Sequence, residues 1–504
     1  MLYFPTGEEA GIIDKFTIET IGIPQAVLME RAALGLFDVV TGIIGDDKKK
    51  RTLVVVESGN NGGDGVALAR LLTVAGCQAD IMCLNGLKKR SDAFMTQLKI
   101  ADNCGVKIHA GKLDIDSYDI IVDGIFGVGL SRPVEGTHRE AIEVLNKAEA
   151  LKIAIDIPSG ISSVDGSVMG AAFKADITVT FGFTKLGMLF EPGREYSGKI
   201  IVKDIGFPDV TAMGNAPKAY SFEKNDIKRL LPKRAPSSHK GTYGKCLIIA
   251  GSRDISGAAY LSAAAAYGMG AGLVRILTEI SNRRILAELL PEALLGCYDE
   301  DEPEKTNVRE AIKWADSIVI GPGLGQGQAA KLLLENVLLY AECPVIIDAD
   351  AINMMAADRE HFDMLLSGGQ EGRSIIITPH VLEMARFTGV AVPDIKKTAL
   401  SLAKETARRH GITVVLKDAR TVVASPDEES VYVNVTGNSS MSKGGSGDVL
   451  TGIIAALIAA GATPMDAARV GVYLHGAAGD KAREELGEYS VMARDIITFL
   501  SKII

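Results

Sequence analysis

A chain of 504 residues is too long for one ordinary hydrophobic core, so two large domains or three smaller ones are expected. Its composition, 47% hydrophobic and 23% charged, is that of a globular protein. A net charge of −9 argues against a general nucleic-acid-binding surface, which needs clustered Lys and Arg. The dense basic run Lys48 to Arg51 follows Asp46 and Asp47 and reads as a solvated loop. Six scattered cysteines without a Cys-x-x-Cys pair, and seven histidines without metal-ligand spacing, argue against disulfides and zinc and for a cytoplasmic protein. Glu8, Glu9 and Asp14 stand where a signal peptide would be basic and then apolar, so none is expected. The apolar stretches Ala258–Val274 and Val449–Ala462 are broken by small residues and read as buried helices, not membrane spans.

In chain order, residues 8–43 read as helix, broken at Pro24. The β-branched run Thr52–Glu57 predicts a buried parallel strand entering the glycine-rich turn Ser58–Gly65, with an amphipathic helix from Val66 to Ala75. Strand, glycine turn, helix is how an α/β sheet builds a ligand site at a strand's carboxyl end. The alternation continues with strands at Ala79–Leu84, Ile120–Asp123 and Ile153–Asp156 and helices at Ser91–Cys104 and Arg139–Ala150. Asp123 and Asp156 both end apolar strands. With Asn61 and Ser159 they would form an oxygen-only cage for a hard cation such as K⁺, Mg²⁺ or Ca²⁺, or each is simply a turn residue. Strands at 176–183 and 199–205 close a doubly wound α/β domain, and the Gly, Asn and Pro of 209–218 mark its boundary.

The second half alternates in the same way. Strands are predicted at 245–250, 273–278, 317–320, 344–347, 374–377 and 413–417, several ending in glycine or acidic turns. These turns are 251–257, Gly321–Gln326 and Asp348–Asn353. His380, after Thr378 and Pro379, is a ligand-facing donor or a helix-start residue, with Pro379 early in the helix. Thr436–Gly452 then places Gly444, Gly445 and Gly447 before Asp448 and a run of apolar helix formers. Flexible glycines before unpaired helix N–H groups make an anion cradle beside a carboxylate, suited to phosphoryl chemistry; the plain alternative is a loop with a capping Asp.

Taken together, HKGTYGK, GPGLG, DADAIN, TPHVLE and GNSSMSKGGSGDVLTG resemble the ADP-dependent NAD(P)H-hydrate dehydratases of the ribokinase-like superfamily. LMERAA, SGNNGGDG, DGIFGVGLSRP and DIPSG resemble the NAD(P)H-hydrate epimerases, and fusion in this order is similar to the bifunctional nicotinamide nucleotide repair enzymes. The resemblance implies two three-layer αβα domains, a Rossmann-like epimerase domain at 1–213 and a ribokinase-like dehydratase domain at 224–504, with a linker at 214–223. It implies that the hydrate is held in the first domain by Asn60, Asn61, Gly62, Gly63 and Asp64. Gly127, Val128, Gly129, Leu130, Ser131, Arg132 and Pro133 would join them, together with Asp156. By the same resemblance K⁺ is bound by Asn61, Asp123 and Ser159. In the second domain Ala258, Gly323, His380 and Asp448 would face the hydrate. Lys417, Asp418, Ala419, Arg420, Thr421 and Gly447 would hold ADP, accompanied by Mg²⁺. Asp448 and Asp156 are the expected catalytic residues, the substrates are the hydrates of NADH and NADPH, and a homo-oligomer without nucleic-acid or membrane partners is expected. The rival reading is a small-molecule kinase with a non-catalytic N-terminal binding module, since the same turn serves such kinases.

Overall fold

The structure is a computed structural model that describes residues 1–84, 91–110, 114–214, 216–253, 255–367 and 373–504. Residue 215 of the expected linker and residue 254 of the 251–257 turn lie outside these. The chain divides into two compact units, Leu2–Ala219 and Tyr220–Ile504 together with Met1. The stretch read as linker carries a strand, Ala219–Ser221.

The first unit opens with helices α1 (Gly7–Glu19) and α2 (Gln25–Ile44), separated at Pro24, which precedes the second helix. Thr6 caps α1 and exchanges bonds with Glu9 in a capping box. Seven parallel strands follow: β1 (Arg51–Val56), β2 (Gln78–Cys83), β3 (Lys107–His109), β4 (Ile120–Gly124), β5 (Leu151–Ile155), β6 (Ile177–Phe181) and β7 (Lys199–Lys203). Their order is β3-β2-β1-β4-β5-β6-β7, a doubly wound order that reverses direction between β1 and β4. Helices α3 (Asn60–Val74), α4 (Asp92–Asn103) and α5 (Gly136–Lys147) connect them. Alternate residues of each strand face opposite ways. Val54, Val56, Val122 and Ile155 pack with Leu36 of α2 and Leu72 of α3 on one face. Leu53, Val55, Ile121 and Ala154 pack with Ile142 and Leu145 of α5 on the other, giving three layers.

In the second unit strands β8 (Lys245–Ile249), β9 (Leu273–Glu279), β10 (Leu294–Tyr298), β11 (Ser317–Ile320), β12 (Val345–Ile347), β13 (Ile375–Ile377) and β14 (Thr413–Leu416) are parallel. β15 (Val422–Ala424) and β16 (Val431–Val433) join antiparallel beyond β14. The order β16-β15-β14-β13-β12-β11-β8-β9-β10 reverses between β11 and β8. The loops leaving these two strands meet there, Gly251 N–H donating to the Pro322 carbonyl at 2.9 Å. Helix α6 (Gly257–Met269) is the small-residue helix, and it packs on α8 (Ser446–Ala459). A Cβ on Gly452 would lie 2.0 Å from the Ser262 carbonyl oxygen, so only glycine permits this approach. Helices α7 (Val381–Thr388) and α9 (Pro464–Leu486) complete the elements that matter for the site.

The strands β3 and β10 are among those with no counterpart in the predicted elements. β3 is largely exposed and β10 contains Gly296, so neither shows the continuous apolar run of a strand buried on both faces. Helix starts also differ. α3 begins at Asn60 and not at Val66, because its glycines are packing residues within the helix. A Cβ on Gly62 would lie 1.8 Å from the Glu57 carbonyl oxygen, and one on Gly63 would lie 2.7 Å from Met29 Cε. Pro379 precedes the α7 cap and lies outside the helix.

Candidate active sites

The reversal point of the first sheet puts the loops after β1 and β4 side by side. Between them is a cavity of about 800 Å³ lined by Asn60, Asn61 and Asp64, by Gly127 to Arg132, and by Asp156. Gly62 and Gly63 are buried beneath it, and Pro133 is not on its wall. Gly127 lies against Asn61, where a Cβ would come within 3.2 Å of the Asn61 side chain.

Asp123 is fully buried. Its Oδ2 accepts from Ser159 N–H at 2.8 Å, and its Oδ1 accepts from Ser159 Oγ at 2.6 Å and from Ile125 N–H at 3.1 Å. Burial pushes the carboxyl up to about 6 against the pull of these donors. Ser159 Oγ in turn accepts from Phe126 N–H at 2.7 Å. Among the described residues the buried amide nitrogen of Asn61 has no hydrogen-bond partner. Among the described residues Asp123 and Asp156 share no hydrogen-bond donor. Asp156, just beyond β5 at φ +65°, turns toward β6. Its Oδ1 accepts from Thr180 Oγ1 at 3.0 Å, from Phe181 N–H at 3.2 Å and from Lys185 Nζ. Lys185 is buried and also donates to Thr180 Oγ1 at 2.9 Å. Asp14, from α1, lines the same cavity as Asp64 and Lys185.

Sequence reasoning missed Lys185 and Asp14. Lys185 follows β6 in Gly182-Phe-Thr-Lys185, and an apolar segment interrupted by one Lys was the available signal. Asp14 sits on an amphipathic helix where an acidic residue reads as solvated.

In the second unit, Gly445 at φ +91° is the N-cap of α8, and Gly447 and Asp448 lie inside the first helical turn, not before it. The first-turn N–H groups have no partner within the helix. The Asp448 carboxylate makes no hydrogen bond among the described residues, and burial pushes it up to about 6, with Asp348 adding and Lys417 opposing. Lys417 points inward: its Nζ bonds Asp348 Oδ1 at 2.7 Å, and a Cβ on Gly447 would lie 3.2 Å from that Nζ. Asp348 is buried and also accepts from Thr378 Oγ1 at 2.8 Å. The residue after it, Ala349, has φ +50°, a strained conformation for a residue with a Cβ.

His380 caps α7. Its Nδ1 accepts from the Leu382 and Glu383 N–H groups at 3.1 Å each, and Glu383 returns a bond to His380 N–H at 2.8 Å. Its Nε2 lies 3.3 Å from Oε1 of the buried Glu383, and the ring is half-exposed. Ala258 and Gly323 are brought together, a Cβ on Gly323 lying 3.0 Å from Ala258 Cβ. Asp418 to Thr421 form the turn between β14 and β15, with Ala419 N–H donating to Asp418 Oδ1 at 2.8 Å. His475 of α9 was not assigned from the sequence. It is held neutral by burial, which lowers it to about 4, and its Nε2 lies 2.9 Å from the Ser446 carbonyl, anchoring the start of α8.

A parallel sheet with an antiparallel edge and a glycine-capped helix carrying an unpaired Asp defines the second unit as ribokinase-like. It is similar to a ribokinase-like superfamily protein from Enterococcus faecalis, with TM-score 0.50 and 27% identity, covering 57% of this chain and 96% of that one. A family model described as NAD(P)H-hydrate dehydratase matches residues 246–502, and one described as YjeF-related protein N-terminus matches 25–187. The bifunctional NAD(P)H-hydrate repair enzyme Nnr of Moorella thermoacetica is 35% identical over 100% of this chain and 97% of that protein. The enzyme of that name from Escherichia coli is 34% identical over 96% of this chain and 91% of its own. The chain belongs to the family of bifunctional NAD(P)H-hydrate repair enzymes, with an epimerase half and a dehydratase half. Among the described residues, no helix is long and apolar enough to cross a membrane.

Proposed function

We propose that the unit Leu2–Ala219 interconverts the R and S hydrates of NADH and NADPH, and that the unit from Tyr220 dehydrates the S hydrate with ADP, releasing AMP and phosphate. The observation that carries the second activity is the unpaired Asp448 carboxylate in the first turn of α8, beside Lys417 and Gly447. Hydroxide leaves carbon poorly, and a phosphorylated hydroxyl leaves well. Asp448 orients or deprotonates the hydrate's hydroxyl, which attacks the terminal phosphorus of ADP. Loop N–H groups at Gly445 to Gly447 stabilise charge on the transferred group, each well-aimed donor contributing roughly 3–4 kcal/mol. The ring nitrogen lone pair then expels phosphate, and loss of the neighbouring carbon's proton restores the ring double bond. Ala258, Gly323 and His380 border the hydrate, and Asp418 to Thr421 with Gly447 hold the nucleotide. Among the described residues Asp348 and Glu383 are already engaged with Lys417 and the α7 cap. Mg²⁺ would therefore travel with the nucleotide's phosphates.

In the first unit the hydrate occupies the cavity beside Asp156. The side-chain oxygens of Asn61, the buried Asp123 and Ser159 are the hard donors that suit a weakly held K⁺, which would fix the 124–133 loop and not act as Lewis acid. The free thiols support a reducing, cytoplasmic setting, and a homo-oligomer remains our expectation.

Incubation with hydrated NADH and ADP should restore the reduced-nicotinamide absorbance. A stable phosphorylated product in its place would identify a kinase instead. Asp448→Ala should abolish this turnover and leave R/S exchange by NMR intact, whereas Asp156→Ala should lose the exchange. Replacing K⁺ with tetramethylammonium should slow epimerisation alone; an unchanged exchange rate contradicts the assigned cation.

A further inference from the structure

Inverting the carbon that bears the hydrate's hydroxyl requires one group to give a proton and another to take one. The inference here rests on the epimerase reading, which supplies Asp156 but no partner for it. The cavity wall offers one. Asp64, on the N-terminal part of α3, makes no hydrogen bond among the described residues, although its neighbour Asp156 takes three donors on one oxygen. The charged groups facing Asp64 are Asp156 from the end of β5, Asp14 from α1, and Lys185, whose ammonium is already engaged by Asp156. Of the other charged groups on the wall, Glu57 is held by His138 at 2.8 Å and Arg132 stands on the loop after β4.

We propose that Asp64 and Asp156 form the acid–base pair of epimerisation, Asp64 protonating the departing hydroxyl and Asp156 taking a proton from the water that enters on the opposite ring face. Asp14 is a positioning residue: its like charge keeps the proton on Asp64. Burial pushes the Asp64 carboxyl well above the ordinary carboxylate range, with Asp156 and Asp14 adding and Lys185 opposing. Asp64 is thereby kept as the proton donor, while Asp156 offers a carboxylate oxygen on the same cavity wall.

The step balances without a redox partner. The Asp64 proton passes to the hydroxyl oxygen, the carbon–oxygen bond breaks, and the ring nitrogen lone pair forms the carbon–nitrogen double bond of an iminium ion as water leaves. A water then bonds the same carbon from the other face, the π pair returns to nitrogen, and the water's extra proton goes to Asp156. Solvent returns that proton to Asp64. From the other epimer the two residues exchange roles.

The test uses the full chain with purified R or S hydrate of NADH in ¹⁸O-labelled water, read by NMR and mass spectrometry. The unaltered protein should incorporate one solvent oxygen per inversion; inversion without incorporation overturns the proposal and requires no variant. Asp64→Asn should slow inversion and oxygen exchange by about 100-fold or more while dehydration of the S hydrate continues. A loss under tenfold also overturns it. Asp14→Asn should move the alkaline limb of the epimerase pH profile to lower pH, because the repulsion that holds the proton on Asp64 is gone; an unmoved limb removes Asp14 from the scheme. If the unaltered protein does not invert the hydrates at all, the epimerase reading itself fails.

Discussion

Asp448→Asn should inactivate the dehydratase and stabilise the fold at once. In the folded chain burial holds this carboxyl at about 6, against a value of 3.8 without its surroundings. At 1.36 kcal/mol per pH unit, and allowing for partial exposure, the ionised carboxylate disfavours folding by about 2–3 kcal/mol. The sign follows from the direction of the shift. A carboxyl raised on folding penalises the native state fully above about pH 6, less between 6 and 4, and not at all below both values. Asn carries no such penalty, so the variant's advantage should be complete at pH 8 and fall to about 1 kcal/mol at pH 4.5. Urea unfolding of both proteins at the two pH values measures this directly, scoring the transition of the second unit. The same variant should lose turnover by about 10²–10⁴-fold if Asp448 is the base. A variant less stable at pH 8, or a gain that does not change with pH, would refute the burial argument; retained turnover would refute the catalytic one.

Lys417→Met should leave Asp348 buried with Thr378 as its remaining partner, costing about 3–5 kcal/mol in urea unfolding. Adding Asp348→Asn should recover much of that loss, and failure to recover would show the pair is not the cause. With the ammonium gone, the acid limb of the dehydratase pH profile should move to higher pH, since Lys417 opposes the rise of Asp448. Gly62→Ala drives a methyl into the Glu57 carbonyl, so the first unit should lose about 1–3 kcal/mol and its epimerase activity while dehydration persists. An alanine variant with normal epimerisation would mean that α3 adjusts freely.

Much of the site was legible because its chemistry is local. A β-branched run entering Ser58–Gly65, or glycines before Asp448, states a strand end, a helix start and the residues on it within some fifteen positions, the scale over which backbone preference acts. For the same reason α/β alternation, the central strands and the family were open to reading from the chain alone. Pairings across elements were not. The Asp156–Lys185 and Asp348–Lys417 contacts join residues 29 and 69 positions apart, and burial, not spacing, makes them close. Asp123 and Asp156 looked like partners because both end adjacent strands. The positive φ at Asp156 turns its carboxylate toward β6 instead, a choice set by Lys185 and Thr180. The start of α3 was misplaced because glycine lowers helix propensity, and only the packed Glu57 carbonyl and Met29 show why glycine is needed there. Sequence by itself thus determined the strand ends and helix starts on which the candidate site residues sit. Tertiary structure alone decided which charges are paired, which stay free, and which hold a proton, because those depend on burial and on neighbours that the chain brings together only when folded.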